Sequence, residues 1–216
     1  MKRSIITTAA LVVLSVVAIT TTGEAAKPAT GTLTISADKS SLKFGGSVTL
    51  SGKLSGSNVS GKSVRVEADE YPLSSFANAG TATTNATGDW SLVVKPNANT
   101  RYRASSGKTD SPTVDVMVRP AITLKLSDRT PKRGQRVRFT GKLCPEHDTV
   151  AIELQRKTSS GWKKIASPAL ADIPGGTCSK YSVAKRVRRS GSYRAHFNGD
   201  VDHAAGNSSR RRARVH

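Results

Sequence analysis

Few residues of this 216-residue chain have the types and spacing that chemistry requires. The histidines, His147, His196, His203 and His216, are scattered. Asp200, Asp202 and His203, in the run NGDVDHAAG, offer two carboxylates and an imidazole close together. Such a trio would hold a metal ion. Yet two carboxylates at that spacing, with no further acidic ligand, make a weak site, and the run reads equally as a polar hairpin loop. The expectation is therefore no metal and no cofactor. No Gly-x-Ser-x-Gly elbow, zinc-type His-Glu pair or phosphate-binding glycine loop occurs. With no catalytic set to name, the chain reads as a non-enzyme.

Cys144 and Cys178 are the only cysteines. An even count in an exported chain reads as a disulfide, and the interval is unlike the C-x-x-C of redox and zinc sites. Trp162 stands beside Lys163 and Lys164 in SGWKKI. A tryptophan among lysines would stack on a sugar ring or a base as a ligand platform. It would equally cover the edge of a sheet while the lysines face water.

Charge is the strongest compositional signal. Lys and Arg number 34 against 15 Asp and Glu, a formal net charge of +19. The excess lies in the second half: residues 26–118 hold 10 basic and 7 acidic residues, residues 119–216 hold 22 and 7. A surplus of this size bears on partners and solubility rather than on fold.

The start of the chain reads as an export signal over residues 1–25. Lys2 and Arg3 precede an apolar stretch from Ile5 to Ile19, and Gly23 and Ala25 supply the small-x-small cleavage pattern. The stretch is shorter than the ~20 residues that span a bilayer. The mature chain is expected to be secreted, with the cell wall as a candidate surface and no transmembrane segment.

The elements that position these residues come in two copies. VTLSGKLS at 48–55 returns as VRFTGKLC at 137–144, an offset of 89. SVRVEA (63–68) returns as TVAIEL (149–154), and RYRA (101–104) as SYRA (192–195). One domain type is thus expected twice, over 26–118 and 119–216, joined at Arg119–Pro120. Within each copy apolar residues alternate, as in Val48, Leu50 and Leu54 or Val137, Phe139 and Leu143, which marks strands buried on one face. About seven short strands per copy predict an all-β chain of two tandem antiparallel β-sandwiches of immunoglobulin-like kind, with a small closed barrel as the competing arrangement.

Strand phase then places the cations. With Val137, Phe139 and Leu143 inward, Arg136, Arg138 and Lys142 point outward. With Tyr181, Val183 and Val187 inward, Arg186 and Arg188 point outward. Second and fifth strands are neighbours in this fold, so these five cations, flanked by Lys125, are expected to line one anion-binding outer face. Lys185 falls on the inward phase, which a bulge or an edge position would explain. Cys144 ends the second strand and Cys178 precedes the fifth, so the bridge is expected within one sheet.

The Gly-containing turn, the V-x-[LF]-[ST]-G-K-L strand, the following V-x-[VI]-E strand and the late YRA resemble the bacterial immunoglobulin-like repeats of secreted actinobacterial proteins. SSGWKKIA (159–166) and YRAHFNGDVDHAAGNSS (193–209) are similar to segments of such repeats. The resemblance implies a spacer, stalk or binding module, with no catalytic residues to carry over. The expected function is a secreted binding module that contacts an anionic envelope or extracellular polymer. The alternative is a structural spacer or protein-interaction pair of the envelope. Teichoic-type polymers, anionic lipids and nucleic acid all have suitable charge. At 5% aromatic residues the chain lacks the interleaved rings of nucleic-acid readers, so sequence-specific nucleic acid is not expected.

Overall fold

The computed structural model describes residues 31–72, 75–147 and 152–216. The expected export signal, 1–25, lies outside them, as do positions 149–151 of the second V-x-[VI]-E strand. The described residues form strands and turns, with no helix among them. The first half carries β1 (Thr32–Leu33), β2 (Ser36–Ala37), β3 (Ser41–Lys43), β4 (Val48–Ser55), β5 (Ser63–Glu70), β6 (Ala77–Thr83), β7 (Asp89–Val94), β8 (Thr100–Ser106), β9 (Thr109–Asp110) and β10 (Val114–Arg119). The second half carries β11 (Ala121–Ile122), β12 (Lys125–Leu126), β13 (Gln135–Cys144), β14 (Glu153–Thr158), β15 (Gly161–Ala166), β16 (Ala171–Asp172), β17 (Ser179–Val187), β18 (Gly191–Phe197), β19 (Gly206–Asn207) and β20 (Arg211–Ala213).

Two hydrophobic cores result. In the first unit β1 and β2 pair with β4, and β4 with β7; the other sheet runs β3-β10-β8-β5-β6. Val48 and Leu50 of the first sheet meet Val64, Val66, Ala104, Val116 and Val118 of the second, all at 0% exposure. In the second unit β11 and β12 flank β13, which pairs with β17, which pairs with β16; the facing sheet is β15-β14-β18, with β19 and β20 beside β18. Phe139, Leu143, Ile152, Leu154 and Phe197 fill that core. Each such side chain contributes roughly 1.5–3 kcal/mol by leaving water.

The repeated GKL now has a physical reason. Gly52 of β4 lies opposite Trp90 of β7, and Gly141 of β13 lies opposite Tyr181 of β17. A Cβ on Gly52 would sit 1.9 Å from the Thr34 carbonyl oxygen and 2.8 Å from the Trp90 ring. On Gly141 it would sit 2.0 Å from the Thr123 carbonyl oxygen and 2.3 Å from the Tyr181 hydroxyl. In both copies an aromatic ring lies across a bare backbone, and only glycine leaves room for it.

β1 and β2 run antiparallel to β4, and the chain then changes sheets near Asp38, whose Oδ1 accepts from Thr49 N at 2.9 Å, so that β3 runs parallel to β10. The second unit repeats the move: Arg214 N donates to Arg129 O at 2.8 Å and Arg133 N donates to His216 O at 3.2 Å.

Cys144 and Cys178 form a disulfide, with sulfurs 2.08 Å apart. Leu143 pairs with Ser179, so the bridge extends the β13–β17 ladder within one sheet, as expected. The two units also touch. Asn99 N donates to Asp202 O at 2.7 Å, Asn99 Nδ2 to Val201 O at 3.1 Å, and Ala204 N to Val118 O at 2.8 Å. The loop between β18 and β19 thereby seats against the first unit.

Candidate functional site

The β13–β17 register decides which cations share a face. Arg136 lies directly opposite Arg186, Arg138 opposite Ala184, Thr140 opposite Ser182, and Lys142 opposite Lys180. Lys125 of β12 lies opposite Thr140 from the other side. Residues directly opposed in an antiparallel pair project to the same side. Lys125, Arg136, Arg138, Lys142, Lys180 and Arg186 therefore share one outer face, and all six are exposed. Lys180 is an addition to the expected set. It is the second residue of β17, and its outward phase follows from the inward Tyr181 beside it.

Arg188 falls outside that face, because β17 ends at Val187. It lines a cavity of about 350 Å³ at the end of the sandwich together with Arg156, Lys185, Arg186 and Arg189. Lys185 opens into the same cavity. The β13–β17 register runs without interruption from Gln135 to Leu143, so no bulge explains its inward phase. It sits where the two sheets part, near Ile165 and Tyr193. Among the described residues, no acidic group lines this cavity.

Ion pairing separates the two units. In the first, Lys53 pairs with Asp89 at 3.5 Å, Arg101 with Asp115 at 2.9 Å, and Arg103 and Arg65 with Glu67 at 2.7 and 3.3 Å. Among the described residues, no acidic group pairs with any of the six cations on the β13–β17 face. Directly opposed like charges, Arg136 with Arg186 and Lys142 with Lys180, destabilise a sheet. Beside them lies a groove of about 810 Å³, walled by Lys125, Lys142, Lys180, Ala169, Ala171 and Ile173. Thr140 and Ser182 line it as well. It combines three ammonium groups, hydroxyls and an apolar wall.

Trp162 is half-buried on β15. The Arg194 guanidinium lies 4.4 Å from its ring centroid, with Arg210 at 5.6 Å and Lys157 Nζ at 5.8 Å. The chain's own cations thus occupy the ring, which favours the sheet-covering role over a platform for an external ring. Lys163 and Lys164 are exposed, and Lys164 Nζ reaches Glu153 Oε1 at 3.2 Å.

The fold also brings His147 to Asp200 and His203, from which it is distant in the sequence. His147 follows β13. Asp200 and His203 lie in the β18–β19 loop, whose turn uses Gly199 at φ +89°. His147 Nε2 lies 3.3 Å from Asp200 Oδ2, and the His147 and His203 ring centroids are 4.8 Å apart. His147 is 8% exposed and His203 4%. Burial holds the His203 ring below the ordinary histidine range, against the bond to the Asn97 carbonyl. Asp202 does not join the cluster through hydrogen bonds of its carboxylate; its backbone N donates to Asp200 Oδ1 at 3.0 Å. Nothing in the sequence spacing marks His147 as a neighbour of Asp200.

No protein-family model matches the chain, and no curated protein matches it. No helix among the described residues is long and apolar enough to cross a membrane. The disulfide fits an oxidising environment.

Proposed function

We propose that the chain is a secreted, non-catalytic binding module whose second unit holds an anionic polymer of the cell envelope or its surroundings. The observation that carries this reading is the β13–β17 face. Six exposed cations converge there with no acidic partner among the described residues, while Lys53, Arg65, Arg101 and Arg103 of the first unit each pair with a carboxylate. Self-repulsion on such a face is relieved by a polyanion that lies along it and releases its own counterions. The sheet order supports the immunoglobulin-like assignment. In the second unit β11 and β12, β13, β17 and β16 form one sheet and β14, β18 and β19 with β20 the other, the two-sheet order of constant-type sandwiches, with β15 added beside β14 as variable-type sandwiches add a strand there.

The test is binding of the full chain to polyphosphate or heparin at a series of salt concentrations. Replacing Arg136, Arg138, Lys180 and Arg186 together with Ser is expected to lower affinity and flatten the log–log salt slope by roughly three units, at about 0.7–0.9 per lost contact. Replacing Arg65, Arg101 and Arg103 should change the slope far less, because those cations already face Glu67 and Asp115. Equal losses from both sets would reduce the reading to net charge alone. A second reading, a rigid spacer, is favoured by the hydrogen bonds between the units; it predicts no loss specific to either set.

A further inference from the structure

We infer that His147, Asp200 and His203 form a binding site for one divalent transition-metal ion of the zinc class, at the junction of the two units. The first observation is the direction of the lone pairs. His147 Nδ1 lies 2.9 Å from the Pro145 carbonyl oxygen, and His203 Nε2 lies 2.8 Å from the Asn97 carbonyl oxygen. A carbonyl only accepts, so each of these nitrogens carries the proton and donates. The opposite nitrogens, His147 Nε2 and His203 Nδ1, are left as lone-pair donors. Both are buried without a hydrogen-bond partner. Metal-ligating histidines are typically oriented in this way, with the far N–H on a carbonyl or carboxylate.

The carboxylate is arranged to match. Asp200 Oδ1 accepts from Asp202 N at 3.0 Å and from His203 N at 2.7 Å, which fixes the group. Oδ2 then faces His147 Nε2 at 3.3 Å. With the proton on Nδ1, two lone pairs confront each other across that gap, and a cation resolves the conflict. Ligand atoms of a tetrahedral zinc ion stand about 3.3 Å apart, given bonds of about 2.0–2.1 Å. The three donor atoms here lie within 4.8 Å of one another, so closure asks for small side-chain rotations.

Two imidazoles and one carboxylate suit zinc or cobalt rather than calcium or magnesium, which prefer oxygen. The backbone of His147 is held as well: Ser179 Oγ accepts from His147 N at 2.9 Å and donates to His147 O at 3.1 Å, one residue beyond Cys178. An ion here would tie the β18–β19 loop, seated on Asn97 and Asn99 of the first unit, to the turn after β13. This inference is independent of polyanion binding.

The test uses the full chain with its disulfide intact, about one pH unit above the ordinary histidine pKa. Zn²⁺ is expected to bind with one ion per chain and raise the melting midpoint, and Co²⁺ to give the visible bands of a four-coordinate site. Asp200→Asn keeps the Oδ1 acceptor but loses the charge, and should weaken Zn²⁺ at least tenfold. His196→Ala and His216→Ala should leave binding unchanged. A readout on the unaltered chain guards against variants that misfold: ring-nitrogen NMR should show Zn²⁺ shifting His147 Nε2 and His203 Nδ1 together. Absence of stoichiometric binding, binding that survives Asp200→Asn, or shifts confined to His196 and His216 would overturn the site. Loss of polyanion binding with Zn²⁺ binding intact would sink the proposed function and leave this inference standing.

Discussion

Gly52 and Gly141 occupy the same place in the two copies, and their side-chain hydrogen is a packing requirement. At Gly141 a methyl group would collide with the backbone carbonyl of Thr123, which cannot rotate away, and with Tyr181, whose hydroxyl donates to that same carbonyl. Gly141→Ala is expected to destabilise the second unit by about 3 kcal/mol, the upper range of overpacking. Gly134→Ala is the control. Its φ is +84° with nothing within 4 Å, so only the left-handed backbone cost of about 1 kcal/mol applies. Denaturant unfolding of the full chain separates the two values. A buried phenol makes the second prediction at this scale. Burial pushes Tyr102 from 10.0 up to about 12. The folded state therefore keeps its proton where the unfolded state loses it. This contribution is complete below about pH 10 and is lost as pH rises towards 12. Tyr102→Phe should flatten the alkaline limb of stability for the first core, followed by tyrosinate absorbance and melting temperature together.

β13 and β17 carry the functional argument, and the disulfide closes one end of their ladder. The bridge spans 34 positions, a loop that stabilises by about 4 kcal/mol on the chain-entropy account. Reduction is therefore expected to lower the melting transition of the second core and leave the first core, which has Ser55 in place of Cys144, unchanged. Calorimetry with and without reductant measures this directly. At the same scale, sequence legibility has clear limits. Val137, Phe139 and Leu143 alternate without a break, so the outward phase of Arg136, Arg138 and Lys142 could be read from the chain. The phase of Lys180 is equally legible from Tyr181 and Val183, whereas Arg188 lies one residue past the end of β17, where alternation stops. β9, β16 and β19 are two residues long and carry no period at all. The change of sheet near Asp38 was hidden because Leu33 and Leu42 are both inward apolar residues, whichever sheet each joins. His147 and Asp200 lie far apart in the chain and meet only because two loops share one end of the sandwich. The Pro145 and Asn97 carbonyls that orient the rings leave no trace in residue identity.

At the scale of the whole molecule, charge is distributed by unit. In the first unit Lys53, Arg65, Arg101 and Arg103 pair with Asp89, Glu67 and Asp115, while among the described residues no acidic group pairs with the second unit's cations along the β13–β17 face or lines the cavity at its end. The joint between the units is built from hydrogen bonds of 97–99 and 118 to 201–204, backbone and side-chain groups both, so a ligand held by the second unit is carried at a defined place relative to the first. The central claim is that a particular sheet face, rather than diffuse net charge, grips the polyanion. Amide hydrogen exchange of the full chain with and without polyphosphate tests it most directly. The account predicts added protection concentrated in 135–144 and 179–187, with 48–55 and 89–94 unchanged. Protection spread evenly over both units, or confined to 210–214 at the C-terminal end, would contradict it.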